Sequence, residues 1–467
     1  MNHRTIPVAC IQTQADDRAD FETFWPHAIE LAEDAARRGA RLIVLPEGTV
    51  PAYVLGAQPV DPAQLARAHN DVARVAAAFG ATIVYGTARI IDGQTYNSAS
   101  VIGPDGRELG HAEKQFLWHF DRRWFANGDS LAPIPTPVGT LGVLVCADGR
   151  IPTIARTLVE RGAEILVMPT AWVTSGRDPA ALENIQADLM IKVRARENGV
   201  PFLAANKCGV ELESVAYCGK SAIVARDGSF VARANQDGAA VVFGEIEVGA
   251  PAKTYAQALA VDEETRRRLR DPAELLRATQ RVRIAFAAGA DLGRFAELAR
   301  QADADVFISL EDCAGDFEPL ALVSLAGIGS SGAEIRRAGS ATFGLIGETV
   351  LENPDGIVAA RLAGIDLFAC AMRRASSNAH VALARTRAAE LRCYLVVLDR
   401  EGERGYAVDP DGALVAGTFD RYRLASFGYD RARSGATTVA PHTDVLRGLE
   451  VAAHIRSREA RKDAPVA

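Results

Sequence analysis

No run of about 18 apolar residues occurs in this 467-residue sequence, so no membrane-spanning helix is expected. The amino terminus, MNHRTIPVACIQ, carries no apolar stretch of signal-peptide length and reads as a first strand. Cysteine is sparse: the seven residues are Cys10, Cys146, Cys208, Cys218, Cys313, Cys370 and Cys393. The number is odd and no CxxC pair occurs, which argues against a disulfide framework and against a zinc site. These absences together place the protein in the cytoplasm. Basic tracts are also missing, apart from Arg266–Arg268, and the formal net charge is −7, which speaks against nucleic acid as a partner. Lysine is absent altogether between Lys253 and Lys462.

What is present is ordinary for a globular protein: 48% hydrophobic and 24% charged residues. The length suits roughly two or three domains, with cores large enough to need neither disulfide nor metal. Continuous apolar runs alternate with helical patterns, the mark of sheets covered by helices. Strands are expected at 6–12, 41–45, 81–87, 98–103, 141–146, 164–168 and 202–206. Helices are expected at about 21–38, closed by Gly39, after Pro152, and at 180–198. Residues 251–280 are polar and helix-prone and read as a connector.

After the connector the pattern starts again. VRIAFA (282–287) matches the opening strand, and DADVFISLED (303–312) lies over GARLIVLPEG (39–48), so Glu311 falls on Glu47. ATFGLIGE (341–348) lies over GTLGVLVC (139–146), placing Glu348 on Cys146. GIDLFAC (364–370) lies over GAEILVM (162–168), RTRAAE (385–390) near RAREN (194–198), and PDGALVA (410–416) over RDGSFVA (226–232). Two unrelated α/β domains with similar strands are the simpler alternative, but five or six blocks in one order favour duplication.

Three residues in the first half stand out chemically. Cys146 ends a buried strand just before a helix, where a side chain is presented and the following N–H, that of Ala147, is free to meet an oxyanion. A helix start also favours a thiolate. A lone cysteine at a strand end can equally be a small buried hydrophobe. Glu47 is a carboxylate at the end of an apolar strand, costly to bury without a partner or task, or else an exposed cap. Lys114, in GHAEKQFLWHFDRRWFANG, could be a surface charge. His111 and His119 near Lys114 raise a Cys–His pair as an alternative, with no Asn or Asp partner to support it.

The blocks PEGTVPAY, EKQFLWHFDRRWFANG and VCADGRIPTIAR, in this order and spacing, resemble the Glu-Lys-Cys motifs of the nitrilase superfamily, the carbon–nitrogen hydrolases. YNSA (96–99), GAEILVMPTAW (162–172) and RAREN support the resemblance, which covers roughly residues 4–250 and extends over 281–430 as fold only. It implies an α/β fold, a four-layer αββα sandwich. Two tandem nitrilase-like domains would then form an internal pseudo-dimer: a catalytic domain over 1–250, a degenerate one over 281–450 and a polar tail over 451–467. It further implies an amide-type C–N hydrolase that works through a Cys146 thioester. Glu47 would be general base, and Lys114 and Ala147 the oxyanion donors, with no cofactor or metal. Water and a small amide or N-carbamoyl compound would be the reactants. Asp121 stands where relatives usually have a Glu, and is assigned to holding Lys114 or a substrate amide. Ala147 replaces a common aromatic residue, and the absence of Trp after the cysteine favours amides over nitriles. Arg150 is a candidate for a substrate carboxylate or for tying down the elbow through carbonyls. Tyr53, Trp118 and Trp172 are candidates for the pocket wall. In the second half the nucleophile is replaced by Glu348 and the lysine is lost, so no chemistry is expected there. A nitrilase, an acyl transferase and a non-catalytic regulatory protein are the alternatives. A homo-oligomer is compatible with all of them.

Overall fold

The computed structural model describes residues 4–56, 58–174, 183–251, 259–269, 281–289, 291–418 and 423–462. The chain forms two compact units. The first comprises Met1–Lys253 with Ala440–Thr443 and Val451–Ala467, the second Thr254–Val439 with Asp444–Glu450. Among the described residues no helix is long and apolar enough to cross a membrane. The fold is mixed α/β.

In the first unit, β1 (Arg4–Gln14), β2 (Leu42–Val44) and β3 (Thr82–Ile91) run parallel at the centre of a sheet, and β4 (Gln94–Ile102) and β5 (Glu108–Glu113) extend it antiparallel. Helix α1 (Phe21–Arg37) follows β1, and α2 (Pro62–Phe79) connects β2 to β3. In α1, Phe21, Phe24, Trp25, Ala28, Ile29, Ala32, Ala35 and Ala36 are buried, a stripe at the three-and-four spacing of one helix face. It packs in one core with Val72 and Val75 of α2 and with Ala9, Ile11, Ile43 and Ile83 of the sheet.

A second sheet holds β6 (Leu141–Val143), β7 (Ile165–Pro169) and β8 (Phe202–Ala205) in parallel, continued antiparallel by β11 (Ala222–Val224) and β12 (Phe230–Arg233). Helices α3 (Pro152–Glu160) and α4 (Ile191–Asn198) pack on β6 and β8, while β1, β2 and β3 pack against β7 and β8. Between β8 and β11 in sequence come β9 (Lys207–Glu211) and β10 (Val215–Cys218), which join the β1 edge of the first sheet, and β13 (Ala240–Val248) pairs antiparallel along β1. The helix expected over 180–198 begins as a π-turn at Gln186–Met190 and becomes α-helical at Ile191; residues 180–182 lie outside the described residues. Within the connector expected at 251–280, Glu263–Leu269 is helical, and 252–258 and 270–280 lie outside the described residues.

In the second unit, β14 (Val282–Ala287), β15 (Val306–Ser309) and β16 (Ala321–Ser324) are parallel, with β23 (Leu424–Tyr429) antiparallel along β14. Strands β18 (Ala341–Gly347), β19 (Leu367–Met372) and β20 (Tyr394–Asp399) are parallel and are continued antiparallel by β21 (Arg404–Val408) and β22 (Leu414–Gly417). This is the sequence of directions seen for β6, β7, β8, β11 and β12. β17 (Ala333–Ala338) pairs on the other side of β18.

One glycine sets how closely β3 approaches the turn after β2. A Cβ at Gly86 would stand 2.2 Å from the Pro46 carbonyl oxygen and 2.5 Å from Glu47 Cα, and the Gly86 N–H donates to that same carbonyl at 3.0 Å. Gly86→Ala is therefore expected to cost about 1–3 kcal/mol through overpacking, read as a lowered urea midpoint. Gly293→Ala meets nothing within 4 Å in the helix Leu292–Gln301, and is expected to be neutral or to add up to about 1 kcal/mol.

Candidate active site

The ends of β2, β5 and β6 bring together the three residues singled out by motif. Glu47 opens the turn after β2 and is fully buried. Its Oε1 accepts from Lys114 Nζ at 2.7 Å and from Asn97 Nδ2 at 2.7 Å. Its Oε2 is buried and has no hydrogen-bond partner among the described residues.

Lys114 follows β5 directly and is also fully buried. Besides Glu47 it meets Asp121 Oδ2 at 2.6 Å, and it lies over the Tyr53 ring at 5.7 Å from the centroid. Burial alone would lower its pKa, but the charges of Asp121 and Glu47 override this and hold it well above the usual lysine value. It is a permanent cation. Asp121 sits in a short 3-10 turn, His119–Arg123. Its Oδ1 accepts from the Tyr53 hydroxyl at 2.7 Å and its Oδ2 from the Trp118 N–H at 2.9 Å.

Cys146 begins a 3-10 turn, Cys146–Arg150, just past β6, with φ of 47°. A non-glycine residue in the left-handed region is uncommon and gathers where a side chain must be aimed. Burial pushes its thiol well above the ordinary range. The Glu47 charge adds to this, and Lys114, Thr170 and Ala171 pull the other way. The Ala147 N–H lies in the first turn, among the donors that such a turn leaves without an intrahelical partner.

Three residues outside the expected set brace this elbow. Asp148 is buried and accepts from the Val145 N–H at 3.0 Å, the Gln115 N–H at 3.1 Å and the Phe116 N–H at 2.7 Å. It thus ties the cysteine turn to the residues next to Lys114. Gln186 Nε2 donates to the Cys146 carbonyl at 3.2 Å. Arg194, fully buried on α4, donates through Nε to the Gly149 carbonyl at 3.0 Å and through Nη2 to the Arg150 carbonyl at 3.4 Å, and pairs with Glu197 at 2.7 Å. Arg194 thus ties down the elbow through carbonyls. Arg150 donates to Gln186 Oε1 at 3.1 Å and lies over the Trp118 ring at 4.6 Å. The signal for Arg194 was present in RAREN, but only the folded chain shows where it reaches.

The remaining candidates divide. Tyr53 joins the buried cluster through Asp121. Trp172 is buried, and its backbone N–H donates to Asn206 Oδ1 at 2.8 Å. Ala147 is buried in the elbow. His111 lies near Glu108 and Glu113, at 3.7 and 3.1 Å. In the second unit Glu348 begins a helix directly after β18, as Cys146 begins its turn after β6, and its Oε2 accepts from the Arg373 N–H at 3.1 Å. Glu311, aligned with Glu47, is exposed and pairs with Arg400. Among the described residues no group of three or more His, Cys, Asp and Glu side chains could hold a metal ion.

Comparison with known proteins shows the family. The carbon–nitrogen hydrolase family profile matches residues 7–271. A protein of Pseudomonas protegens described as "Hydrolase in pqqF 5'region" is 36% identical over 209 residues, 44% of this chain and 70% of the relative. The N-carbamoylputrescine amidase of Arabidopsis thaliana is 27% identical over 263 residues, 52% of this chain and 87% of the relative. Among solved structures, the carbon–nitrogen hydrolase of Helicobacter pylori is 25% identical with a TM-score of 0.46, covering 52% of this chain and 89% of that one. Through its first half, then, this chain belongs to the carbon–nitrogen hydrolase family.

Proposed function

We propose that the chain hydrolyses the C–N bond of a small amide or N-carbamoyl compound by way of a Cys146 thioester. The observation that carries this reading is the buried Glu47–Lys114–Asp121 cluster, with the Cys146 elbow tied through Asp148 to the residues next to Lys114. Glu47 takes the thiol proton on its unpaired Oε2 as sulfur attacks the substrate carbonyl carbon. The tetrahedral oxyanion lies between the Lys114 ammonium and the Ala147 N–H. The C–N bond breaks as Glu47 returns the proton to the leaving nitrogen, releasing ammonia or an amine. Water, deprotonated by the same carboxylate, attacks the thioester carbonyl. Breakdown of this second intermediate expels sulfur, which takes the proton back from Glu47. Asp121 and Tyr53 hold Lys114 throughout. The amidases among the relatives, named for N-carbamoylputrescine and as omega-amidase, support amides as the substrate class.

The layering of the first unit, α1 and α2 on one sheet and α3 and α4 on the other, supports an αββα sandwich. The second unit reads as a degenerate copy with no catalytic lysine. Its Arg387 makes the bonds that Arg194 makes: Nε to the Leu351 carbonyl at 3.0 Å, Nη2 to the Glu352 carbonyl at 3.1 Å and an ion pair with Glu390 at 2.6 Å. Counted from Glu348 and Cys146, these carbonyls occupy the same places in their turns as those of Gly149 and Arg150.

Cys146→Ala and Lys114→Ala are each expected to lower amide turnover on the order of a thousandfold or more, and Glu47→Gln on the order of 10²–10⁴-fold. Ammonia release is the assay. Intact-protein mass spectrometry should show an acyl or carbamoyl adduct on the native chain that Cys146→Ala lacks. Full turnover by Cys146→Ala would overturn the reading.

The resting state can be tested separately. Because burial and Glu47 raise the Cys146 thiol above its ordinary value of 9.0, the reactive thiolate is scarce at neutral pH. Alkylation of Cys146 by iodoacetamide should keep accelerating past that value. A plateau below about pH 8 would instead mark a cysteine stored as thiolate.

A further inference from the structure

The turn that carries Asp121 is held from a distant part of the sequence. Residues Ala440–Thr443 belong to the first compact unit although they come some 320 positions after the turn: the His119 N–H donates to Thr443 Oγ1 at 2.6 Å, a separation of 324 residues. Thr443 is fully buried, and its hydroxyl also donates to the Pro441 carbonyl at 3.3 Å, so both of its hydrogen-bonding functions are used. One turn further on, Arg122 Nε donates to the His442 carbonyl at 3.1 Å. Thr443 lies outside the residues, 7–271, that the family profile matches.

The held residue needs holding. His119 adopts φ of 49°, a left-handed conformation that a non-glycine side chain keeps only when its surroundings impose it. On either side the chain is already fixed. Upstream, Gln115 and Phe116 donate their N–H groups to Asp148. Downstream, Phe125 N–H donates to the Asp121 carbonyl at 2.8 Å and Ala126 N–H to the Thr95 carbonyl at 2.9 Å. Between these anchors, Thr443 and His442 reach the turn from outside it, as do Tyr53 and Lys114 at Asp121.

We propose that Thr443 is a positioning residue for the reaction: by accepting from His119 it sets the turn that places Asp121, and through Asp121 the Lys114 ammonium, against Cys146. The residue type follows from the site. The His119 N–H is partly buried and costs free energy if left without an acceptor, and a hydroxyl can accept from it while donating to the Pro441 carbonyl. Valine has the same shape and can do neither. The proposal rests on the roles given above to Lys114 and Asp121.

The test uses the full chain and needs no substrate. The rate of Cys146 alkylation by iodoacetamide at pH 8 is followed by peptide-resolved mass spectrometry for the native chain, Thr443→Val, Thr443→Ser and Asp121→Asn. Each is measured below its own thermal transition. Loss of the Lys114 charge from beside the sulfur raises the thiol further, so Thr443→Val should react about tenfold more slowly, equivalent to one pH unit. Thr443→Ser, which keeps the hydroxyl, should return to the native rate. If Thr443→Val does not fold, Thr443→Ala carries the same expectation. A Thr443→Val rate equal to or above the native one, or a Thr443→Ser rate as slow as that of Thr443→Val, overturns the proposal. An unchanged rate in Asp121→Asn would instead overturn the roles of Lys114 and Asp121 on which it rests, so the two failures are told apart.

Discussion

A fully buried ammonium dictates much of what surrounds it. Lys114 is 0% exposed, and an unpaired charge at such a depth would lose its proton instead of persisting. Two carboxylates, Glu47 and Asp121, keep it charged, and each is in turn held by a neutral donor, Asn97 or Tyr53. The cluster of one cation and two anions carries a net charge of −1. A thiolate beside it would make −2 in a buried space where such charges repel strongly. In the proposed reaction the thiol accordingly stays protonated until a carbonyl arrives to take the charge onto oxygen, and proton removal by Glu47 becomes part of the attack.

The elbow that presents Cys146 depends on a second buried charge. Arg194 crosses from α4 to the carbonyls of Gly149 and Arg150 and is neutralised by Glu197 one turn along its own helix. Removing one member of such a pair leaves an uncompensated charge in the interior, so the pair is costly to lose piecemeal. That constraint accounts for a contrast in the second unit. On the proposed reading of the second unit as a degenerate copy, Glu348 stands at the place of the nucleophile and no lysine accompanies it, yet Arg387 and Glu390 pin the carbonyls of Leu351 and Glu352.

How much of this was legible in the sequence depends on how far each interaction reaches. Cys146 and Glu47 could be found because each ends an apolar strand, a local pattern, and Lys114 because its flanking block resembles the lysine motif of the family. The strands of both sheets were legible for the same reason: buried parallel strands are continuous apolar runs. Asp148 was not legible as a brace. Its three donors include Gln115 and Phe116, more than thirty residues away, and nothing local marks an aspartate as the acceptor of distant amides. Thr443 is further removed still. Glu311, which the sequence blocks place on Glu47, is exposed and pairs with Arg400, as suits a carboxylate without a buried partner.

The shorter Asp121 in place of the usual glutamate is resolved by the same local logic. A glutamate can reach a lysine along a flexible stem, and it loses rotamer freedom in doing so. An aspartate has less reach, so its backbone must come closer. Here the 3-10 turn does this, because Asp121 Oδ2 accepts from Trp118 N–H at the start of its own turn and from Lys114 Nζ at once. The carboxylate is a cap and a counter-ion together. Reach has been exchanged for dependence on the conformation of the turn, and that conformation includes a left-handed histidine. A site arranged this way transfers its precision from a side chain to a backbone segment, and any residue that stabilises the segment acts on the lysine through it.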